Sequence, residues 1–215
     1  MLKGIVFDLD GTLVNSLKAT FDGFNHTFQA FGAPVLTPHQ IMEHFGPGER
    51  QIFEKILGIE HGLKAQKLYH DYTRSRMHES PLFEGIHDVL NTCHRLNLPT
   101  SIVTGRGRDG TKIILEHHGL LDRFVSVICH EDVSSSKPSP EGILKATQLM
   151  NLDPTQIAYV GDMWVDIRAA KRAGSHAISV AWDPIHDFEL CQKEEPHFTA
   201  KSPEDLIRYI LNNHL

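Results

Sequence analysis

The sequence has little sulfur to build with. Among its 215 residues are three cysteines, Cys93, Cys129 and Cys191, far apart and odd in number. That pattern suits neither a disulfide framework nor a zinc knuckle, so three reduced residues in or near a core are expected. Long apolar runs are also missing. The first apolar stretch, Gly4 to Phe7, is far too short for the apolar region of a signal peptide or for a membrane span. A cytoplasmic protein without membrane contact is the expectation. No block of lysine or arginine interrupts a formal net charge of −6. A nucleic-acid partner held through a broad basic face is therefore not expected. Repeats are absent, and the low-complexity content amounts to Ser134-Ser135-Ser136.

Histidine, by contrast, is abundant, with 15 residues, yet none form a zinc-type pair, and His117-His118 are adjacent rather than one helical turn apart. They should steepen the change of net charge between about pH 5 and 7 and do little else. Hydrophobic residues at 40% and charged residues at 22% fit one large globular domain, or one carrying an insert.

The apolar residues that are present fall into two rhythms. Short continuous runs at Gly4 to Phe7, Pro99 to Val103, Phe124 to Ile128, Gln156 to Val160 and His176 to Val180 predict strands buried on both faces. Between them, helical spacing recurs in Ile86-Val89-Leu90-Cys93-Leu96, in Ile113-Ile114 through Leu120, in Ile143-Ala146-Leu149 and in Ile167-Ala170-Ala173. The alternation predicts an α/β protein with a doubly wound parallel sheet, a Rossmann-like core. From Leu17 to Ser80 no strand pattern is found. Phe21, Phe24, Phe28 and Phe31 make an aromatic stripe at helical spacing, and Leu63 to Met77 reads as another helix. Residues 16–80 are thus expected to form a helical insert over a core of residues 1–15 and 81–215, with links near Asn15-Ser16 and Ser80-Pro81.

Four stretches carry candidate chemistry, each at a predicted strand end. Asp8 and Asp10 lie two residues apart after the first strand, with Gly11 allowing a sharp exit. Carboxylates this close need a cation or separate protonation states; alone, they could equally cap a turn. Thr104-Gly105 follows the second strand and can offer a hydroxyl and a backbone N–H to an oxyanion. Arg106 comes next, as a phosphate or substrate contact or as a solvated arginine at a helix start. Lys137, before Pro138-Ser139-Pro140, is an ammonium at a stiffened loop edge, suited to a phosphoryl group. Asp162, after Gly161, would face the cleft, and Asp166 lies one helical turn on. Oxygen ligands without Cys or His suit magnesium. Each stretch has a bland reading alone, but the ordered set along one sheet edge points to phosphoryl transfer.

On these four motifs the chain resembles the haloacid dehalogenase-like hydrolases over essentially its whole length. The resemblance implies that Asp8 is the nucleophile and Asp10 the general acid and base. It implies that Thr104, Gly105 and Lys137 hold the phosphoryl group. It places Mg2+ on Asp8, the Asp10 backbone carbonyl and Asp162, with Asp166 in support, and makes the helical insert a cap that closes over the site and selects the substrate. Phe7 to Ser16 and Gly46-Pro47 are most similar to the phosphoglycolate phosphatase group and its pyrophosphatase relatives, which implies a small phosphorylated metabolite or pyrophosphate as substrate. Asn15 stands where that group usually has Asp, and Met163 where Ser or Thr is common. A phosphomutase of the β-phosphoglucomutase type shares the motifs, although Thr12 leans toward a phosphatase. Asp10 disfavours a dehalogenase, and the complete motif set disfavours a silent binding relative. Substrate contacts are expected from His44 to Arg50. Arg50 is the candidate cation there, whereas Glu49 reads more readily as a surface charge. Oligomeric state is not encoded in any of these features.

Overall fold

The computed structural model describes residues 1–185 and 187–214. Six strands among them, β1 (Gly4–Phe7), β2 (Thr100–Val103), β3 (Ser126–Ile128), β4 (Ile157–Gly161), β5 (His176–Val180) and β6 (Phe198–Ala200), form one sheet in the order β3-β2-β1-β4-β5-β6. Every pairing is parallel. β1 lies between β2 and β4, with Phe7 level with Ile102 on one side and Val160 on the other. The chain therefore leaves β1 in opposite directions across the sheet, and a crevice opens beyond its carboxyl end, where ligands of such sheets bind.

Alternation along β1 assigns the two faces. Ile5 and Phe7 pack with α5 (Ile86–Arg95), α6 (Arg108–His117) and α10 (Pro203–Asn213), while Val6 packs with α7 (Glu141–Leu149) and α8 (Trp164–Ala173). Ile5, Val6 and Phe7 are all completely buried, and each contributes roughly 1.5–3 kcal/mol. α5 shows how the sequence makes such a helix. Ile86, Val89, Leu90 and Cys93 recur on one stripe, Gly85 opens it at φ 90°, and Asn97 at φ 53° follows its end. α8 ends in the same manner at Gly174, with φ 78°.

The five strands expected from the sequence are present. β6 is the sixth, preceded by the short helix α9 (Phe188–Lys193) and followed by α10. Three residues, Phe198-Thr199-Ala200, are too few to show a period, and they sit on a sheet edge.

The segment from Leu17 to Ser80 holds α1 (Leu17–Ala30), α2 (Pro38–Met42), α3 (Glu49–Leu57) and α4 (Gly62–Ser75), and no strand among the described residues. These helices share a separate cluster in which the Phe24 ring lies 5.1 Å from that of Phe53 and 4.9 Å from that of Tyr69. The aromatic stripe is thus core packing, worth about 0.5–1.5 kcal/mol per ring pair beyond burial. The chain enters and leaves this block side by side. Val14 and Leu82 form an antiparallel bridge, and the Asn15 N–H donates to the Pro81 carbonyl at 2.8 Å. No helix among the described residues is long and apolar enough to cross a membrane.

Candidate active site

Asp8 and Asp10 follow β1 directly, and the turn that presents them has no room for a side chain at Gly11. A Cβ there would lie 2.2 Å from Asp162 Oδ2, and the backbone already has φ +75°. The constraint draws the Asp8–Asp10 turn and the end of β4 together. Asp8, Asp162 and Asp166 converge as a result, all buried, with one carboxylate oxygen from each within 4.8 Å of the others.

Lys137 reaches into this cluster from the loop before α7. Its Nζ donates to Asp8 Oδ1 at 2.9 Å and to Asp166 Oδ1 at 2.6 Å, and it lies 3.2 Å from the Tyr159 hydroxyl. Tyr159, on β4, also sits 3.0 Å from the Val103 carbonyl, so its polar end ties β4 to β2 beneath the ammonium. Asp166 is fully engaged: Oδ1 takes the ammonium, and Oδ2 accepts the Met163 N–H at 3.0 Å at the start of α8.

One ammonium does not neutralise three buried acids. Burial pushes the Asp8 carboxyl up to about 7, against the pull of Lys137 and with the repulsion of Asp166 adding to it. Burial likewise holds Asp162 well above the usual carboxylate range, reinforced by Asp166 and Asp8. Burial opposes the charge on Lys137 as well, but Asp166 and Asp8 more than offset it and fix the ammonium as charged. Excess buried negative charge on oxygen donors, without sulfur or imidazole, fits a hard divalent cation at Asp8 and Asp162.

Asp10 has a different partner. Arg106 grips it with two parallel bonds, Nε to Oδ2 at 2.9 Å and Nη2 to Oδ1 at 2.7 Å. The same guanidinium donates to Thr20 Oγ1 at 2.7 Å and to the Tyr69 hydroxyl at 3.1 Å, both on the helical block. The Ser16 hydroxyl donates to Asp10 Oδ1. Burial alone would raise the Asp10 carboxyl, but the Arg106 guanidinium, with its bonds and that of Ser16, holds it below its usual value. The Arg106 side chain is 4% exposed, so it is neither solvated nor waiting at the cleft edge. Thr104 is buried beside it, its hydroxyl accepting the Arg106 N–H at 3.1 Å, and both Thr104 and Gly105 line the cavity.

Two residues of the α3 N-terminus exchange their expected places. The Arg50 side chain is 55% exposed and pairs with Glu54 at 2.7 Å, one turn along the helix and off the cavity. Glu49 is buried, and both its oxygens accept the Gly107 N–H, at 3.2 and 3.1 Å, where α6 begins. The cause is helical phase. Ile52 and Phe53 turn into the aromatic cluster, and one step of about 100° from Glu49 rotates Arg50 to solvent. The sequence reading missed Glu49, Thr20, Tyr69 and Tyr159. Tyr159 alone carried a signal, a phenol on a buried strand that needs a polar partner.

A cavity of about 260 Å³ joins these parts, with Asp8, Asp10, Thr104 and Lys137 at its floor. Above them it is walled by Phe24, Met42, Phe45 and Ile52 of the helical block and by Trp164 and Val165 of α8. The Ser136 hydroxyl donates to the Gly46 carbonyl at 2.5 Å, so the loop before α3 rests on the loop carrying Lys137.

Known proteins resemble the chain over most of its length. The profile of the haloacid dehalogenase-like hydrolases matches residues 5–180. A phosphoglycolate phosphatase of Vibrio vulnificus is 28% identical over 221 residues, covering 98% of this chain and 96% of that protein. The pyrophosphatase PpaX of Anoxybacillus flavithermus is 30% identical over 208 residues, 96% of this chain and 95% of its own. Among solved structures, a predicted phosphoglycolate phosphatase from Haemophilus somnus superposes with a TM-score of 0.83 at 22% identity, over 97% of each chain. A β-phosphoglucomutase from Clostridium difficile gives 0.81 at 18% identity, covering 100% of this chain and 97% of its own. The last two speak for the fold alone.

Proposed function

Because the chain belongs to the haloacid dehalogenase-like hydrolases, we propose that it is a magnesium-dependent phosphatase of small phosphomonoesters working through a phosphoryl group on Asp8. The observation that carries this reading is the convergence of Asp8, Asp162 and Asp166 around Lys137 at the carboxyl edge of the sheet. In it, residues 1–15 and 81–215 are the catalytic core and residues 16–80 the cap. The relatives named for phosphoglycolate and for pyrophosphate set the starting range of substrates.

Asp8, Asp162 and the Asp10 backbone carbonyl would hold magnesium, which supplies charge neutralisation between nucleophile and phosphoryl oxygens. Lys137, fixed by Asp166 and Tyr159, holds one side of the phosphoryl group, and Thr104 with the Gly105 N–H holds another. An Asp8 carboxylate oxygen bonds to phosphorus as the bond from phosphorus to the alcohol oxygen breaks, and Asp10 gives that oxygen its proton. In the second half Asp10 takes a proton from water as the water oxygen bonds to phosphorus, and Asp8 leaves as a carboxylate. The products are the alcohol and inorganic phosphate. Asp10 as gripped by Arg106 is the form that accepts the proton. To donate one, it exchanges guanidinium contacts for the leaving oxygen.

Asp8→Asn tests the reading. Turnover of an aryl phosphate with magnesium should fall at least a thousandfold while the circular dichroism spectrum stays native. Turnover within tenfold of the parent would sink it, and phosphate appearing on a new position of the substrate would mark a mutase instead.

A further inference from the structure

The cavity that holds Asp8, Asp10 and Lys137 extends beyond them along a largely apolar lining. Phe24, Met42, Phe45 and Ile52 give the cavity apolar surface from the helical block, and Trp164 and Val165 give it from α8. The cations lining it are Lys137 and Arg106, and both are committed. Lys137 serves Asp8 and Asp166. Arg106 directs Nε and Nη2 to Asp10, Nη2 also to Thr20, and Nη1 to Tyr69, so each of its nitrogens has an acceptor. Glu49 adds a further buried carboxylate, which forms no ion pair among the described residues and meets the Gly107 N–H instead. Beyond the transferred phosphate, a substrate therefore meets hydrocarbon, the hydroxyl residues Thr20, Tyr69 and Ser136, two carboxylates and one guanidinium already gripping one of them. A second anionic group placed there would be desolvated with only a guanidinium shared with Asp10 to meet it and the Glu49 carboxylate to oppose it, a costly kind of burial.

We infer that the substrate is the phosphate ester of an uncharged alcohol with an apolar body about the size of a ring, and not of glycolate or of a second phosphate. The inference rests on the phosphatase reading and narrows it. The apolar wall contributes through area removed from water, so rate should follow the hydrocarbon content of the alcohol. Glu49 contributes by repulsion, which discriminates against an anionic leaving group without strengthening the grip on the correct one.

The test is phosphate release by the full-length protein with magnesium, measured as kcat/KM across methyl, ethyl, propyl, butyl and hexyl phosphate, 2-phenylethyl phosphate, 2-phosphoglycolate and pyrophosphate. The alkyl series should rise about fourfold per methylene over at least three steps. 2-Phenylethyl phosphate should exceed 2-phosphoglycolate and pyrophosphate by a hundredfold or more. Glu49→Gln, which keeps the shape and removes the charge, should narrow the ratio of butyl phosphate to phosphoglycolate about tenfold. A flat alkyl series, or phosphoglycolate or pyrophosphate as the best substrate, overturns the inference and leaves the phosphatase reading standing. An unchanged ratio in Glu49→Gln overturns the part given to that residue. Release of phosphate from none of the compounds overturns both readings together.

Discussion

Two buried cations stand on opposite sides of one turn, and they treat its two aspartates in opposite ways. On one side Lys137 is divided between Asp8 and Asp166 with Asp162 close by, and Asp8 is left with a carboxyl pushed up to about 7. On the other, Arg106 gives a planar, two-bond grip to Asp10, the one carboxylate it bonds among the described residues, and that carboxyl is driven below its ordinary value. Both acids are deep in the same crevice, so depth does not set their difference. The ratio of cations to carboxylates does. A shared point charge leaves a demand for further positive charge, whereas a dedicated fork removes it. The side left in deficit is the one suited to a metal ion.

Removing the shared cation should break the contrast most severely. Lys137→Met strands Asp8 and Asp166 without their common partner and is expected to cost about 3–5 kcal/mol of stability without metal. It should also lower kcat by two or more orders of magnitude; chemical denaturation and phosphate release measure the two losses. Next comes metal and pH. An acid whose folded pKa is raised from 3.8 to about 7 contributes stability that is present below its unfolded value and is lost as pH rises through 7. Metal-free protein should therefore lose stability across that window. Magnesium at a hundred times its pH 8 dissociation constant should return about 2.7 kcal/mol at pH 8 and, at the same concentration, much less at pH 5. Thermal unfolding of the parent and of Asp8→Asn at both pH values reads this, since the variant should show a smaller pH difference, the remainder belonging to Asp162. The smallest effect sharpens the other side. Arg106→Lys keeps a charge and loses the fork, and should cost about 1 kcal/mol near neutral pH. Because the Asp10 carboxyl is lowered in the folded protein, its stabilisation is present above the unfolded value near 3.8 and disappears as pH falls through the folded one. The gap between parent and Arg106→Lys should accordingly close in acid, below about pH 4, in denaturation curves.

How much of this was legible depended on whether a residue answers to local or to remote geometry. Asp8, Asp10, Thr104 and Asp162 stand where parallel strands end, and a buried strand fixes its own exit, so their convergence could be read from the apolar runs; Lys137 lies well past the end of β3 and is brought to them by the loop before α7. Arg106 was legible as a position and not as a partner. Its acceptors Thr20 and Tyr69 come from helices whose packing on the core no local pattern reports. Glu49 and Arg50 were read the wrong way round for the same reason, since which of two neighbours faces the core is set by how α3 seats its phenylalanine. β6 failed on length, its three residues being held by a neighbouring strand rather than by any rhythm of their own.

The bridge between Val14 and Leu82 has a consequence for how such a molecule can be rearranged. The two chain ends that serve the helical block sit one strand spacing apart, about 5 Å, so from the sheet's side the block is a loop already closed. Its length then enters the core's folding free energy only as a logarithm, about 0.6 kcal/mol for each doubling. The sheet is indifferent to the length of that block, while Ser16, Thr20, Tyr69 and Glu49 still reach Asp10, Arg106 and Gly107 from beyond the doorway. A recognition surface grafted between residues 15 and 81 has to return those contacts, but it does not ask the strands to relearn their register.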